Sequence, residues 1–123
     1  MIAITLGLGD RMIPAELDES PTALDLLELL PLSADFTDFA DQEKLAPLPR
    51  RLTTRDAPAA SGAGPGDIGY YAPSQHLVLY YADVARFPGI IPVGRFATGA
   101  VDLLTALPSG TVITVARSPA TRS

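Results

Sequence analysis

Residues 20–31 read SPTALDLLELLP, and the rest of the chain is organised around them. Ser20 offers a side-chain oxygen to the first free N–H groups of a helix, and Pro21 brings the fixed φ that suits a first helical turn. Ala23, Leu26, Leu27 and Leu30 recur at helical spacing and share one face, with Thr22, Asp25 and Glu28 opposite. Pro31 disfavours helical geometry at Leu30 and cannot donate the next helix bond. The pattern predicts a helix over 20–30, with its apolar face closing against strands on either side.

The chain has 123 residues, the size of one domain, and no cysteine. Such a length buries a core without disulfide staples, and no thiolate chemistry is open to it. Residues 1–116 form the expected domain, and 117–123, RSPATRS, a polar, frayed tail. No apolar run approaches the ~20 residues that cross a bilayer. The amino-terminal residues MIAITLGLGD have no basic region and read as a strand rather than a signal peptide. A cytoplasmic protein with no membrane partner is expected. Net charge is −5, which repels phosphate backbones and argues against nucleic acid as a partner. Arg50, Arg51 and Arg55 form a local exception, read as solvated loop charge.

Ile2, Ile4 and Leu6 alternate with Ala3 and Thr5; Ile13, Ala15 and Leu17 alternate again after Gly7-Leu8-Gly9-Asp10. Residues 2–17 therefore read as a hairpin, with Pro14 pushing its second strand toward an edge or bulge. Ala34, Phe36 and Asp38 share one strand face and Phe39 lies on the other. Residues 45–66 are irregular, rich in proline and glycine, and read as a long loop open to proteases over 50–64. Asp67 to Tyr71 is a strand, and His76 to Tyr81, apolar on both faces, a central one. Pro88-Gly89 is a turn, 93–96 a short strand, 100–107 a second short helix and 111–116 a closing strand rich in β-branched residues. Roughly seven short strands with no βαβ rhythm point to a mainly β fold, a barrel or sandwich with two short helices plugging its ends.

In this order the elements resemble the cyclophilin-like domain family, small bacterial and archaeal proteins with a fold like that of the cyclophilin prolyl isomerases. The resemblance spans about residues 2–116 and rests on GLGDR at the first turn, Glu16-Leu17, and Pro21, Thr22, Ala23 with Leu26 or Leu27. It continues through Glu43-Lys44, Leu48-Pro49, Gly66-Asp67-Ile68, Tyr70-Tyr71, LVLYY and Gly94-Arg95-Phe96. It implies a closed β-barrel of about eight strands with a helix at each end. Cyclophilins proper carry an arginine in a Phe-His-Arg context on the strand after the first helix. Here that region reads ADFTDFADQEKL, without arginine or histidine, and the whole chain lacks Trp. No catalytic residue carries over.

Tyr70, Tyr71, Tyr80 and Tyr81 form two pairs, one member of each facing inward and one outward. They are either barrel core with a surface ring, or an aromatic groove for a peptide or small molecule that Phe39, Phe87 and Phe96 join. Arg95 either pairs with Glu43 or Asp67 or presents its guanidinium to a ligand. Glu43, in an apolar setting, is a candidate for a raised pKa. His76, the lone histidine, reads as a strand-start residue near solvent, and no metal site or other cofactor is expected. The expected ligand-binding set is Phe39, Glu43, Tyr80, Phe87, Arg95 and Phe96. The leading expectation is a binding module for a Pro-containing peptide or small molecule, with weak or no isomerase activity. The alternatives are a prolyl isomerase with Arg95 or Arg50 as donor, and an enzyme on small substrates using Glu43 and Tyr80.

Overall fold

The computed structural model describes residues 1–119. Its strands are β1 (Ile2–Leu8), β2 (Arg11–Leu17), β3 (Leu32–Phe39), β4 (Glu43–Pro47), β5 (Ala60–Ala63), β6 (Asp67–Tyr71), β7 (His76–Tyr80), β8 (Val84–Pro88), β9 (Ile90–Phe96) and β10 (Thr111–Arg117). Two helices, α1 (Pro21–Leu27) and α2 (Val101–Ala106), interrupt them. Eight strands close an antiparallel barrel in the order β1-β10-β3-β4-β7-β6-β9-β2, and β5 and β8 pair separately as a two-stranded ribbon. The expected closed barrel and the hairpin over 2–17 are both present. The closing strand runs one residue further than expected, to Arg117, and Ser118 N–H donates to Ala3 O; the remaining tail, 120–123, lies outside the described residues.

α1 begins as its sequence dictates: Ser20 Oγ accepts from Ala23 N–H and Pro21 opens the first turn. It is shorter than expected, giving way after Glu28 to a turn in which Leu29 and Leu30 N–H donate to Leu26 and Leu27 carbonyls. Ala23, Leu26 and Leu27 plug one end of the barrel, adding to its buried core where α1 packs on β9. Thr22, expected on the polar face, is instead buried, because its hydroxyl donates to Thr53 O of the following long loop. α2 seals the opposite end through Leu104.

Pro14 sits where the pairing of β2 stops being two-sided: β9 joins β2 only over Ala15, Glu16 and Leu17. The long loop is more structured than its composition suggests. Leu48 and Leu52 are buried, Leu52 N–H donates to the Tyr70 hydroxyl, and Thr53 N–H donates to Asp25 Oδ2 on α1. Residues 60–63 then pair with β8 rather than remaining loop.

Strand alternation sorts the wall into two faces. Ile68, Tyr70, Leu77, Leu79, Lys44 and Ala46 point into the barrel. Tyr71, His76, Val78, Tyr80, Glu43 and Leu45 point outward, where Val78, Tyr80 and Ile90 form a second small core under the β5–β8 ribbon.

Candidate binding site

The outer face of β4, β7, β6 and β9 and the overlying β8 enclose a slot of about 410 Å³. The β4–β7 register puts Glu43 beside Tyr80 and Leu45 beside Val78, and β6–β7 puts Tyr71 beside His76. Phe39, at the end of β3 and opposite Glu43, extends the same face. From above, Val84 and Phe87 of β8 close over it. Phe39 and Phe87, 57% and 53% exposed, stand at the lips of the slot, and Phe87 lies 6.3 Å from Tyr71 at a tilted angle.

Tyr80 lies across β6 because residue 69 is glycine. A Cβ there would meet Tyr80 Cε2 at 2.9 Å, inside van der Waals contact. Burial, reinforced by the charges of Glu43 and Asp67, raises the Tyr80 phenol pKa, so it stays neutral and able to donate a hydrogen bond at physiological pH. Glu43 is the acid of the slot, only 9% exposed. Desolvation raises its pKa above the ordinary glutamate value; a long 3.4 Å hydrogen bond from Gln42 Nε2 opposes this. At the other end, His76 Nδ1 and Ser74 Oγ are 2.7 Å apart, and both residues line the slot.

Four of the six residues expected from the sequence, Phe39, Glu43, Tyr80 and Phe87, meet in this slot. Arg95 and Phe96 do not. A bulge at Val93, where the pairing of β9 with β6 slips by one residue, flips the alternation: Val93 and Phe96 both turn inward, and Arg95 turns out. Phe96 becomes barrel core, and Arg95 lies 3.5 Å from Asp67 at a shallow groove beside Glu16. Arg50 is likewise occupied, 2.8 Å from Asp25 on α1. Tyr70 and Tyr71 face inward and outward as expected, while Tyr81 lies beyond the end of β7 and donates to Asp38.

His76, Ser74, Gln42 and Ile90 join the slot without having been expected there. The signal for His76 was present: it shares strand parity with Val78 and Tyr80, so an outward Tyr80 implies an outward His76. Among the described residues no group of three or more His, Cys, Asp or Glu side chains is arranged to hold a metal ion, and no helix is long and apolar enough to cross a membrane. The slot can therefore seat an apolar body between aromatic walls and hold polar groups at its two ends.

Known structures share this architecture. The solution structure of the hypothetical protein AF2241 from Archaeoglobus fulgidus superposes with a TM-score of 0.64 at 18% identity, covering 95% of each chain. McbB, solved in complex with tryptophan, superposes with a TM-score of 0.66 at 17% identity over 98% of this chain, which spans 46% of McbB. These likenesses are of fold. No curated protein matches the sequence. The model of the Cyclophilin-like family matches residues 6–116, nearly the whole described barrel, and the chain belongs to that family.

Proposed function

We propose that this chain is a ligand-binding module whose site is the slot between the barrel wall and the β5–β8 ribbon, with weak or no prolyl isomerase activity. The observation that carries this reading is the slot's lining: Phe39, Tyr71, Tyr80 and Phe87 surround one nearly buried carboxylate. Two phenylalanines exposed at its lips are apolar surface that an occupant would cover. The ligand is a small molecule or a Pro-containing peptide segment, bound by a cytoplasmic protein.

Against strong isomerase activity stands the charge of the slot. Weakening the X–Pro amide calls for a donor at the carbonyl or the proline nitrogen. Among the described residues no arginine lines the slot, Arg95 and Arg50 are paired with Asp67 and Asp25, and the charged group beside Tyr80 is an acid. The neutral Tyr80 phenol remains as a candidate donor, alongside Gln42, Ser74 and His76.

Two measurements test the reading. A coupled assay on a proline peptide, whose uncatalysed exchange takes tens of seconds or longer, is expected to show little acceleration. NMR titration with proline-rich peptides and with tryptophan, the ligand recorded for McbB, is expected to shift Tyr71, Tyr80 and Phe87 resonances. Catalysis at the level of a genuine cyclophilin would replace the binding reading with the isomerase.

A further inference from the structure

We infer that the slot selects elongated arylalkyl amines, seating a cationic ammonium against Glu43 and the aryl end against the Tyr71–Phe87 pair. The inference rests on the slot being the binding site and adds the chemistry of what it takes.

The slot has a long axis and two different ends. His76 and Tyr80 are four residues apart on β7, and Glu43 is the partner of Tyr80, so the polar ends lie about 13 Å apart along the strand at ~3.3 Å per residue. Between them run Leu45, Tyr80, Val84 and Ile90, which offer no charge. A compact polar ligand leaves that stretch unfilled, and a wholly apolar one leaves the carboxylate of Glu43 desolvated against it.

The two ends differ in charge. At the Glu43 end Lys44, next in sequence, lies inside the barrel with Asp38, and Arg95, beside Asp67 on β9, pairs with that aspartate. Among the described residues Glu43 therefore has no basic partner. Further acids stand near it. Asp67 acts on the Tyr80 phenol, Asp41 acts on the Tyr81 phenol, and Gly64 brings Asp83 and Asp67 close to the same corner. At the far end Arg51 donates to Ala72 O, next in sequence to Tyr71 of the slot, and His76 holds Ser74. The field along the slot thus runs from negative at Glu43 to neutral or positive at His76. A ligand ammonium is favoured at one end only, and there it would supply the counter-charge that the protein does not.

The aryl end has its own seat. Tyr71 and Phe87 already adopt a tilted pair at 6.3 Å, with Ile90 behind them. A ring entering past Phe87 gains contact with both.

The test uses three probes of one length and shape: 4-phenylbutylamine, 4-phenylbutan-1-ol and 4-phenylbutyrate, titrated into the full chain by NMR at pH 7.5. The amine is expected to bind at least tenfold tighter than the alcohol, and the carboxylate weakest. Intermolecular NOEs are expected from the aminomethylene protons to Phe39 and from the phenyl ring to Tyr71. Glu43→Gln is expected to erase the amine's advantage over the alcohol, bringing the two affinities together. The probe ranking and the NOEs on the unaltered chain carry the test even if that variant folds poorly. If the slot resonances respond to amine and alcohol with equal affinity, or the carboxylate binds best, the amine inference falls and the slot remains a binding site. If none of the probes and no proline peptide perturbs Tyr71, Tyr80 or Phe87, both readings fall.

Discussion

Glu43 and Lys44, successive residues of β4 with opposite charges, do not pair: they point through opposite faces of the barrel wall. Lys44 is wholly buried inside, 2.7 Å from Asp38 Oδ1 and 2.9 Å from Leu107 O. Glu43 faces the outer slot. The pleat of one strand thus separates a satisfied structural cation from an acid left for a ligand. A wall with both charges on one face would have neutralised its own site.

The inner network predicts an asymmetry. Asp38 accepts from both Lys44 and the Tyr81 hydroxyl but is 30% exposed, whereas Lys44 is fully buried. Asp38→Ala strands a buried ammonium and is expected to cost about 3–5 kcal/mol in a denaturant titration. Lys44→Met leaves Asp38 reachable by water and fills the space with an apolar chain, so its cost should be near ~1 kcal/mol or less. Equal losses would show that removing Asp38 does not leave the Lys44 ammonium stranded. The Tyr81 phenol, pushed up to about 12 by burial and by the Asp38 bond, should stay neutral in both.

The helix plug gives a second prediction. Leu26 is fully buried and Leu27 nearly so, while Leu24 is 44% exposed. Leu26→Ala and Leu27→Ala should each cost about 2–5 kcal/mol, and Leu24→Ala within ~0.5 kcal/mol of zero. A small loss at Leu26 would mean that α1 lifts off the barrel in solution.

The long loop is tied to that helix. The Arg50 hydrogen bond, and then that of Thr53 N–H, hold the Asp25 carboxyl below its ordinary pKa. A depressed folded-state pKa stabilises above the unfolded value and is lost as pH falls through the folded one. The tie is therefore intact at neutral pH and should release only in acid, below the ordinary aspartate range. Limited trypsin at pH 8 should spare Arg50 and Arg51 and cut first at the exposed Arg55 or Arg86. Asp25→Asn should open Arg50 and Arg51 to cleavage. Rapid cutting there in the unaltered chain would show the tie to be loose.

Which parts of this were legible follows from what is local. Ser20-Pro21, Pro108-Ser109-Gly110 and the alternations of residues 2–17 are punctuation that the backbone obeys whatever surrounds it. His76 to Tyr80 read as buried on both faces, and it is, because the ribbon covers its outer side. The ribbon itself was hidden. Ala60–Ala63 reads ASGA, with no alternation and little β propensity, and it is a strand only because β8 and the wall beneath give it partners. Phe96 was misplaced for a tertiary reason as well: the bulge at Val93 lies where β2 joins the second edge of β9, which already pairs with β6. His76 looked idle because the slot that gives it company is assembled by pairing β4 with β7, some thirty residues on.

Gly69 tests whether the shape of the slot matters. A methyl group there would meet Tyr80 Cε2 at 2.9 Å and its hydroxyl oxygen at 3.4 Å. The ring can give way only outward, since Ile91 O backs the glycine at 3.5 Å. Gly69→Ala is expected to cost about 1–3 kcal/mol, as overpacking does, and to drive Tyr80 into the slot. Ligand affinity should then drop at least tenfold while the amide NMR spectrum stays folded. Unchanged affinity in a folded variant would place the ligand away from Tyr80.

Glu43 makes the sharpest prediction about pH. Burial raises its folded-state pKa above the unfolded one, so the protonated acid is the form that the fold prefers. For a raised pKa the contribution to stability is full below the unfolded value and is lost as pH rises through the folded value. Unfolding free energies of the native chain and of Glu43→Gln should therefore run parallel in acid. They should diverge as pH climbs from the ordinary glutamate range through the raised value, with the glutamine variant the more stable at pH 7. Subtracting one curve from the other removes the other carboxylates, which the two proteins share. A bound amine reverses the sign, because it favours the ionised carboxylate and draws its pKa back down. With saturating 4-phenylbutylamine the native chain should regain its stability at pH 7 and the variant should not. Parallel curves at every pH would mean that Glu43 is hydrated in solution and is not the desolvated acid that the slot requires.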